Sequence, residues 1–251
     1  MAPMTSSDWF HCSVPRPDAR FRLFCFPYAG GGINAFRSWT KHLTDDIELC
    51  SIQLPGRDVR FSEAPFTEMS ELVDQLARGL APRFDRPYAF FGHSMGAIVA
   101  FELVRHVRRE GLGLPVHLFV SARRAPTIPD PEPHCHELPD GEFVTQLVRR
   151  FDGIPRIVLE NDELMNLVLP TLRADFKLLE TYRYVPGEQL SQPLTVFGGT
   201  QDRFTTRDDL LAWNEMTRGA FQLHMVPGGH FFLQESQADV LRIVSRHLRD
   251  E

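Results

Sequence analysis

The stretch Phe91-Gly92-His93-Ser94-Met95-Gly96 constrains this chain more than any other. An apolar run from Pro87 to Phe91 precedes it, and a helix-like apolar run from Ala97 to Val107 follows. Strand, tight turn and helix in that order leave Ser94 at the apex. The Gly-x-Ser-x-Gly spacing makes the turn feasible, because Gly92 and Gly96 lack a Cβ and let strand and helix close on either side of the serine. Such a turn lifts the hydroxyl clear of a sheet. It also leaves the Met95 N–H at a helix N-terminus, where it can donate to a developing oxyanion. The stretch predicts a nucleophile elbow with Ser94 as the nucleophile.

The rest of the chain supplies a sheet to carry that elbow. Strands are predicted over Arg20–Phe26, Ile47–Leu54, Tyr88–Phe91, Val116–Ala122, Leu194–Gly198 and Phe221–Val226. Helices fall between them. Ala35–Leu43 places Phe36, Trp39 and Leu43 on one face, and Glu68–Arg83 places Met69, Leu72, Val73, Leu76 and Leu80 on one. Ala97–Arg109, Arg207–Met216 and a C-terminal helix bearing Val240, Leu241, Val244 and Leu248 complete the alternation. The expected class is α/β, a mostly parallel sheet with helices on both faces. Residues 1–19 read as a loose arm that Trp9-Phe10 pins to the body. One stretch breaks the rhythm: from Ala125 to Gln192 there is no strand, only helical patches at Gly141–Phe151, Glu163–Leu169 and Thr171–Tyr182. A structureless loop of that length is improbable in a compact domain. The expectation is one domain, residues 1–251, with a helical lid inserted over about residues 129–184.

Composition narrows the setting. A chain of 251 residues, 43% hydrophobic and 24% charged with net charge −6, argues against a nucleic-acid partner. Cys12, Cys25, Cys50 and Cys135 have no metal-type spacing and read as free thiols in a reducing compartment. No basic segment with an apolar core opens the chain, and no apolar run can span a bilayer. The expected location is the cytoplasm, with no membrane partner.

A nucleophilic serine needs a base, and the base needs an orienting acid, in the chain order Ser, Asp or Glu, His. Asp202 follows the strand Leu194–Gly198 through Gly199-Thr200-Gln201, at the carboxyl edge where open α/β sheets bind ligands. His230 follows Phe221–Val226 through Pro227-Gly228-Gly229. Asp208 and Asp209 compete with Asp202 for the acid's role but sit in helical sequence. A second oxyanion donor is expected from the loop Tyr28-Ala29-Gly30-Gly31-Gly32, which is no phosphate loop because no Gly-Lys-Ser/Thr follows. His134-Cys135-His136 is too short to make a complete metal site, so no metal and no cofactor is expected.

Further motifs carry a resemblance. Cys25-Phe26-Pro27-Tyr28-Ala29-Gly30-Gly31, Pro55-Gly56-Arg57, Gly92-His93-Ser94-Met95-Gly96-Ala97 and Gly228-Gly229-His230-Phe231-Phe232 resemble the type II thioesterases. Ser121-Ala122-Arg123-Arg124-Ala125-Pro126 and Arg173-Ala174-Asp175-Phe176 do so too. These are the stand-alone editing enzymes of polyketide synthases and nonribosomal peptide synthetases. The resemblance implies an α/β-hydrolase fold with a helical lid. It implies hydrolysis of acyl groups from the phosphopantetheine arm of acyl or peptidyl carrier proteins. It carries the triad onto Ser94, Asp202 and His230 and the oxyanion donors onto the backbone of Ala29 and Met95. Arg203-Phe204 departs from the small or apolar pair usual after the acid. The triad alone leaves open a carboxylesterase or a chain-releasing thioesterase of the same fold, and a non-catalytic binding protein is the remaining alternative. Carrier proteins are generally acidic, so docking through Arg123 and Arg124 is expected, with Arg57, Arg60, Arg149 and Arg150 in support.

Overall fold

The computed structural model describes residues 9–150 and 156–250. Its strands are β1 (Phe10–His11), β2 (Phe21–Phe26), β3 (Ile47–Ile52), β4 (Tyr88–His93), β5 (His117–Ser121), β6 (Leu194–Gly199) and β7 (Phe221–Val226). They form one sheet in the order β1-β3-β2-β4-β5-β6-β7. Every pairing is parallel except that of β1 with β3. The strands β2 to β6 are buried on both faces, which is why they read as continuous apolar runs. Alternate residues serve opposite faces. Phe24, Phe26 and Phe90 enter one core with α1 (Met69–Leu80) and α2 (Met95–Arg109). Leu23, Cys25 and Phe91 enter the other, with Phe36, Trp39 and the last helix, Gln237–Arg249. The fold is that of the α/β hydrolases, and no helix among the described residues is long and apolar enough to cross a membrane.

The arm is pinned at Trp9-Phe10 as expected, but its later residues depart from a loose course. Among the described residues it is tied down rather than loose: β1 pairs Phe10 with Ile52 and His11 with Ser51. Trp9 is 2% exposed and fills the space left by Gly79, where a Cβ would meet its ring at 2.1 Å. Arg16 donates to the carbonyls of Thr44 and Ile47 at 2.6 and 2.9 Å. Residues 1–8 of the expected arm lie outside the described residues. All the cysteines are free, and the Cys12 and Cys50 thiols lie 2.6 Å apart.

Between β5 and β6 lie α3 (Asp140–Arg150), α4 (Arg156–Leu159) and α5 (Asp162–Thr181), with Phe151 of the first expected patch outside the described residues. The two later patches are one helix. Pro170 lies inside α5 and does not break it. A proline removes one helical hydrogen bond, but Pro170 is exposed while its neighbours Leu169, Thr171 and Leu172 are buried. Tertiary contacts therefore hold the turn that the sequence alone would interrupt. Thr171 Oγ1 donates to the Gly56 carbonyl at 2.7 Å, and Leu172 packs where a Cβ on Gly30 would stand, so α5 crosses the loops that leave β2 and β3. A third apolar cluster, with Phe143, Leu147, Leu169, Leu172 and Phe176, joins α3 to α5. The remaining helices are α6 (Arg207–Leu211), which continues as a 3-10 turn over Ala212–Met216, and α7 (Gln237–Arg249).

Candidate active site

β4 ends at His93 and α2 begins at Met95, so Ser94 alone makes the turn. Its backbone sits at φ 53, ψ −111, a conformation that costs an L-residue about 1–3 kcal/mol. The turn is held in place from outside. A Cβ on Gly92 would lie 2.2 Å from the Gly96 carbonyl oxygen, and one on Gly96 would lie 2.1 Å from that of Phe26. The Ser94 N–H donates to the Ser121 carbonyl at 2.8 Å, extending the β4–β5 pairing through the apex.

The loops after β6 and β7 are laced together. Thr200 N–H donates to Val226 and Gln201 N–H to Gly228, at 2.8 and 2.9 Å. The end of β6 lies so close to the second loop that a Cβ on Gly199 would meet the Gly229 carbonyl oxygen at 2.4 Å. This lacing brings the predicted acid and base together. His230 Nδ1 lies 2.8 Å from Asp202 Oδ2, and His230 Nε2 lies 3.0 Å from Ser94 Oγ. The other Asp202 oxygen accepts the Phe204 N–H at 2.9 Å, and the carboxylate is fully buried. A buried carboxylate with both oxygens engaged fixes the imidazole's tautomer, with Nδ1 protonated and Nε2 facing the serine hydroxyl as its proton acceptor. Asp209 is instead a capping-box residue of α6, bonded to Thr206, and Asp208 is exposed on the same helix.

His93 lies beneath this relay. Its Nδ1 is 2.8 Å from Ser121 Oγ, and its ring centroid is 5.5 Å from that of His230. Burial, and then the neighbouring His230, push its pKa well below the ordinary histidine range. It therefore stays neutral beneath the base.

The loop after β2, where an oxyanion donor is expected, has an anchor that sequence reasoning missed. Asp175 on α5 accepts the Gly30 N–H at 2.7 Å and a forked pair from Arg57 at 2.7 and 2.8 Å. Arg57 also donates to the Gly31 carbonyl at 3.0 Å. With the Gly30 donor taken, the Ala29 N–H remains without a partner among the described residues. The Met95 N–H is the first of its helix and has no intrahelical acceptor. The signal for the anchor was present in the sequence. Pro55-Gly56-Arg57 and Arg173-Ala174-Asp175-Phe176 are separate motifs there, and in space they are partners.

A cleft of about 990 Å³ opens beside His230, lined by Ile98, Arg123, Phe176, Leu179 and Phe204 among others. The arginines expected to form a docking patch require correction. Arg57 and Arg60 are 7% and 3% exposed, the first locked to Asp175 and the second to Glu63 and over the Trp9 ring. Arg150 is 6% exposed and bonds the Pro133 carbonyl. Arg124 donates to the carbonyls of Phe204 and Pro129. Arg123 lies inside the cleft rather than on its outer surface. Of the set only Arg149 is exposed. His134 and His136 approach Glu180 at the cleft rim. The Glu180 oxygens are already occupied by the N–H groups of Cys135 and His136 and by His136 Nδ1. Burial opposes its ionisation, but these bonds prevail and hold its carboxyl below the usual range.

Comparison with known proteins gives concordant findings. The model of the Thioesterase domain family matches residues 21–248. The gramicidin S biosynthesis protein GrsT of Aneurinibacillus migulanus is 44% identical over 241 residues, covering 96% of this chain and 94% of that protein. Thioesterase PikA5 of Streptomyces venezuelae is 35% identical, covering 96% and 85%. Among solved structures, the RedJ thioesterase of the prodiginine pathway in Streptomyces coelicolor superposes with a TM-score of 0.86. It is 35% identical and covers 93% of this chain and 87% of that one.

Proposed function

The chain belongs to the thioesterase domain family, whose members are hydrolases acting on thioesters, and from that premise we propose that Ser94, Asp202 and His230 hydrolyse acyl groups carried on the phosphopantetheine arm of a carrier protein. Ser94 Oγ attacks the thioester carbonyl while His230 Nε2 takes its proton. Asp202 orients the imidazole and stabilises its charged form. The Ala29 and Met95 N–H groups receive the oxyanion of the tetrahedral intermediate. Collapse expels the arm's thiolate, which takes the proton from His230 and leaves an acyl-serine. Water, activated by the same histidine, then releases the acid. The observation that carries this reading is the unbroken relay from Asp202 through His230 to Ser94.

The partner would be an acyl or peptidyl carrier protein, and the task the clearing of stalled acyl groups from a synthase. Relatives named for gramicidin S and prodiginine biosynthesis support it. The setting would be cytoplasmic, in keeping with four free cysteines. The segment of about residues 129–184 would serve as a lid on a single domain, its Phe176 and Leu179 forming an apolar wall of the cleft. The test compares wild type with Ser94→Ala on acyl-carrier substrates. Turnover should fall by about 10⁴-fold or more, and fluorophosphonate labelling should vanish. Near wild-type turnover in Ser94→Ala, or acylation at another residue by mass spectrometry, would refute the assignment.

A further inference from the structure

Arg123 differs from the more deeply buried Arg22, Arg57, Arg60 and Arg150, each of which bonds an oxygen through its guanidinium. Arg22, Arg57 and Arg60 each meet a carboxylate within 2.9 Å. The Arg123 side chain is 17% exposed, and its one ion-pair partner is the half-exposed Asp130, at 3.9 Å. That separation is beyond hydrogen-bonding reach. No N–H of its guanidinium has a hydrogen-bond partner among the described residues, and Nε is fully buried. A guanidinium so placed is costly unless oxygen acceptors meet it. Burial drives its pKa down against the pull of Asp130.

Its backbone is positioned deliberately. Ser121, the last residue of β5, pairs with His93 of β4, so Arg123 sits at the sheet edge that presents Ser94. Ala122 between them adopts φ 50, left-handed backbone that a residue with a Cβ seldom takes. The Ala122 N–H donates to Phe197 at 2.9 Å, and the Arg123 carbonyl accepts the Trp213 indole N–H at 2.7 Å. The side chain so aimed lines the same cleft as His230.

We infer that Arg123 is an anion subsite inside the substrate cleft, selecting substrates that bring a carboxylate or phosphate oxygen to its unoccupied guanidinium fork. This rests on the thioester-hydrolase reading of the triad and adds a substrate class to it. A guanidinium pairs with either group through paired N–H donors. A carboxylate on the acyl chain is the source that the depth favours, because the phosphate lies at the far end of the arm from the thioester, next to the carrier. Asp130 competes with the ligand from the rim.

The experiment measures kcat/KM for matched pairs of small thioesters, with no carrier protein present. One pair sets a carboxyl-terminated acyl group against its neutral isostere, both on N-acetylcysteamine. The other sets a neutral acyl group on phosphopantetheine against the same group on pantetheine. Wild type should prefer the anionic member of at least one pair. Arg123→Gln should cut that preference by about ten- to a hundredfold, Arg123→Lys should keep part of it, and Asp130→Asn should raise it. The pair that responds identifies the source of the anion. A wild-type enzyme with no preference in either pair overturns the inference, and that result needs no variant to fold. Ratios unmoved by Arg123→Gln, or equal losses on every substrate, overturn it too. Fluorophosphonate labelling separates the two readings. A wild type that does not label sinks the hydrolase assignment, whereas normal labelling with flat ratios sinks the subsite alone.

Discussion

Asp175→Asn tests whether α5 holds the Ala29 loop and whether that loop bears on turnover. Asp175 accepts from Arg57 at 2.7 and 2.8 Å and from the Gly30 N–H at 2.7 Å, with both charged side chains less than 10% exposed. Removing one member of a buried ion pair leaves the other charge uncompensated, at a cost of about 3–5 kcal/mol. With an unfolding entropy of about 2.1 cal/mol/K per residue over 251 residues, Tm should drop by about 6–10 °C. The apolar double variant Arg57→Met with Asp175→Leu should recover most of that loss, since a buried pair can often be replaced at no net cost. It still strands the Gly30 N–H, worth about 1–3 kcal/mol. Its kcat should stay depressed, by about tenfold to a hundredfold, because the Ala29 loop has lost its anchor. Calorimetry gives the Tm values and a small thioester gives kcat. Single-variant effects that add to the double within about 0.5 kcal/mol would show that the residues do not act as a pair. A double variant with full stability and full kcat would show that the anchor has no bearing on catalysis.

Other outcomes follow from the same geometry. Asp202→Asn should leave the fold intact and cost up to about 10⁴-fold in kcat by favouring the wrong tautomer, and a loss below about threefold would move the acid elsewhere. Gly96→Ala should lower the urea midpoint and abolish fluorophosphonate labelling, since the new Cβ would lie 2.1 Å from the Phe26 carbonyl oxygen. Unchanged labelling would mean that the turn has slack. Burial, and secondarily His247, push the His117 pKa down to about 3 from 6.5. The folded state therefore binds fewer protons than the unfolded one across that window. The contribution is complete above about pH 6.5 and erodes as pH falls, at up to about 1.4 kcal/mol per pH unit. Tm against pH should be flatter in His117→Gln, and an unchanged slope would remove His117 from the acid response.

The hydrogen-bonded relay of Asp202, His230 and Ser94 was legible because a parallel sheet brings its strand ends to one edge. Asp202 and His230 each follow an apolar strand by a short glycine-bearing turn, and both features are local in sequence. The Arg57–Asp175 anchor was not legible as a pair, because its halves lie 118 residues apart and only the folded chain shows them meeting. Neither was the depth of Arg57, Arg60 and Arg150, since a buried arginine and an exposed one are spelled alike. Pro170 misled in the opposite direction: a strong local signal for a break was overridden by the burial of Leu169, Thr171 and Leu172. The strand at Phe10–His11 is too short to produce a periodic pattern.

That short strand bears on self-association. The outer edge of β3 would otherwise present the sequence Ile-Glu-Leu-Cys-Ser-Ile as an open template for another chain. β1 covers Ser51 and Ile52, and Arg16 takes the Ile47 carbonyl and, through its backbone N–H, the Glu48 carboxylate. The segment thus acts as a blunting guard rather than a tether. A truncation begun at Arg20 would keep Ser94, Asp202 and His230, yet it would bare an apolar strand edge and invite the chains to stack edge to edge.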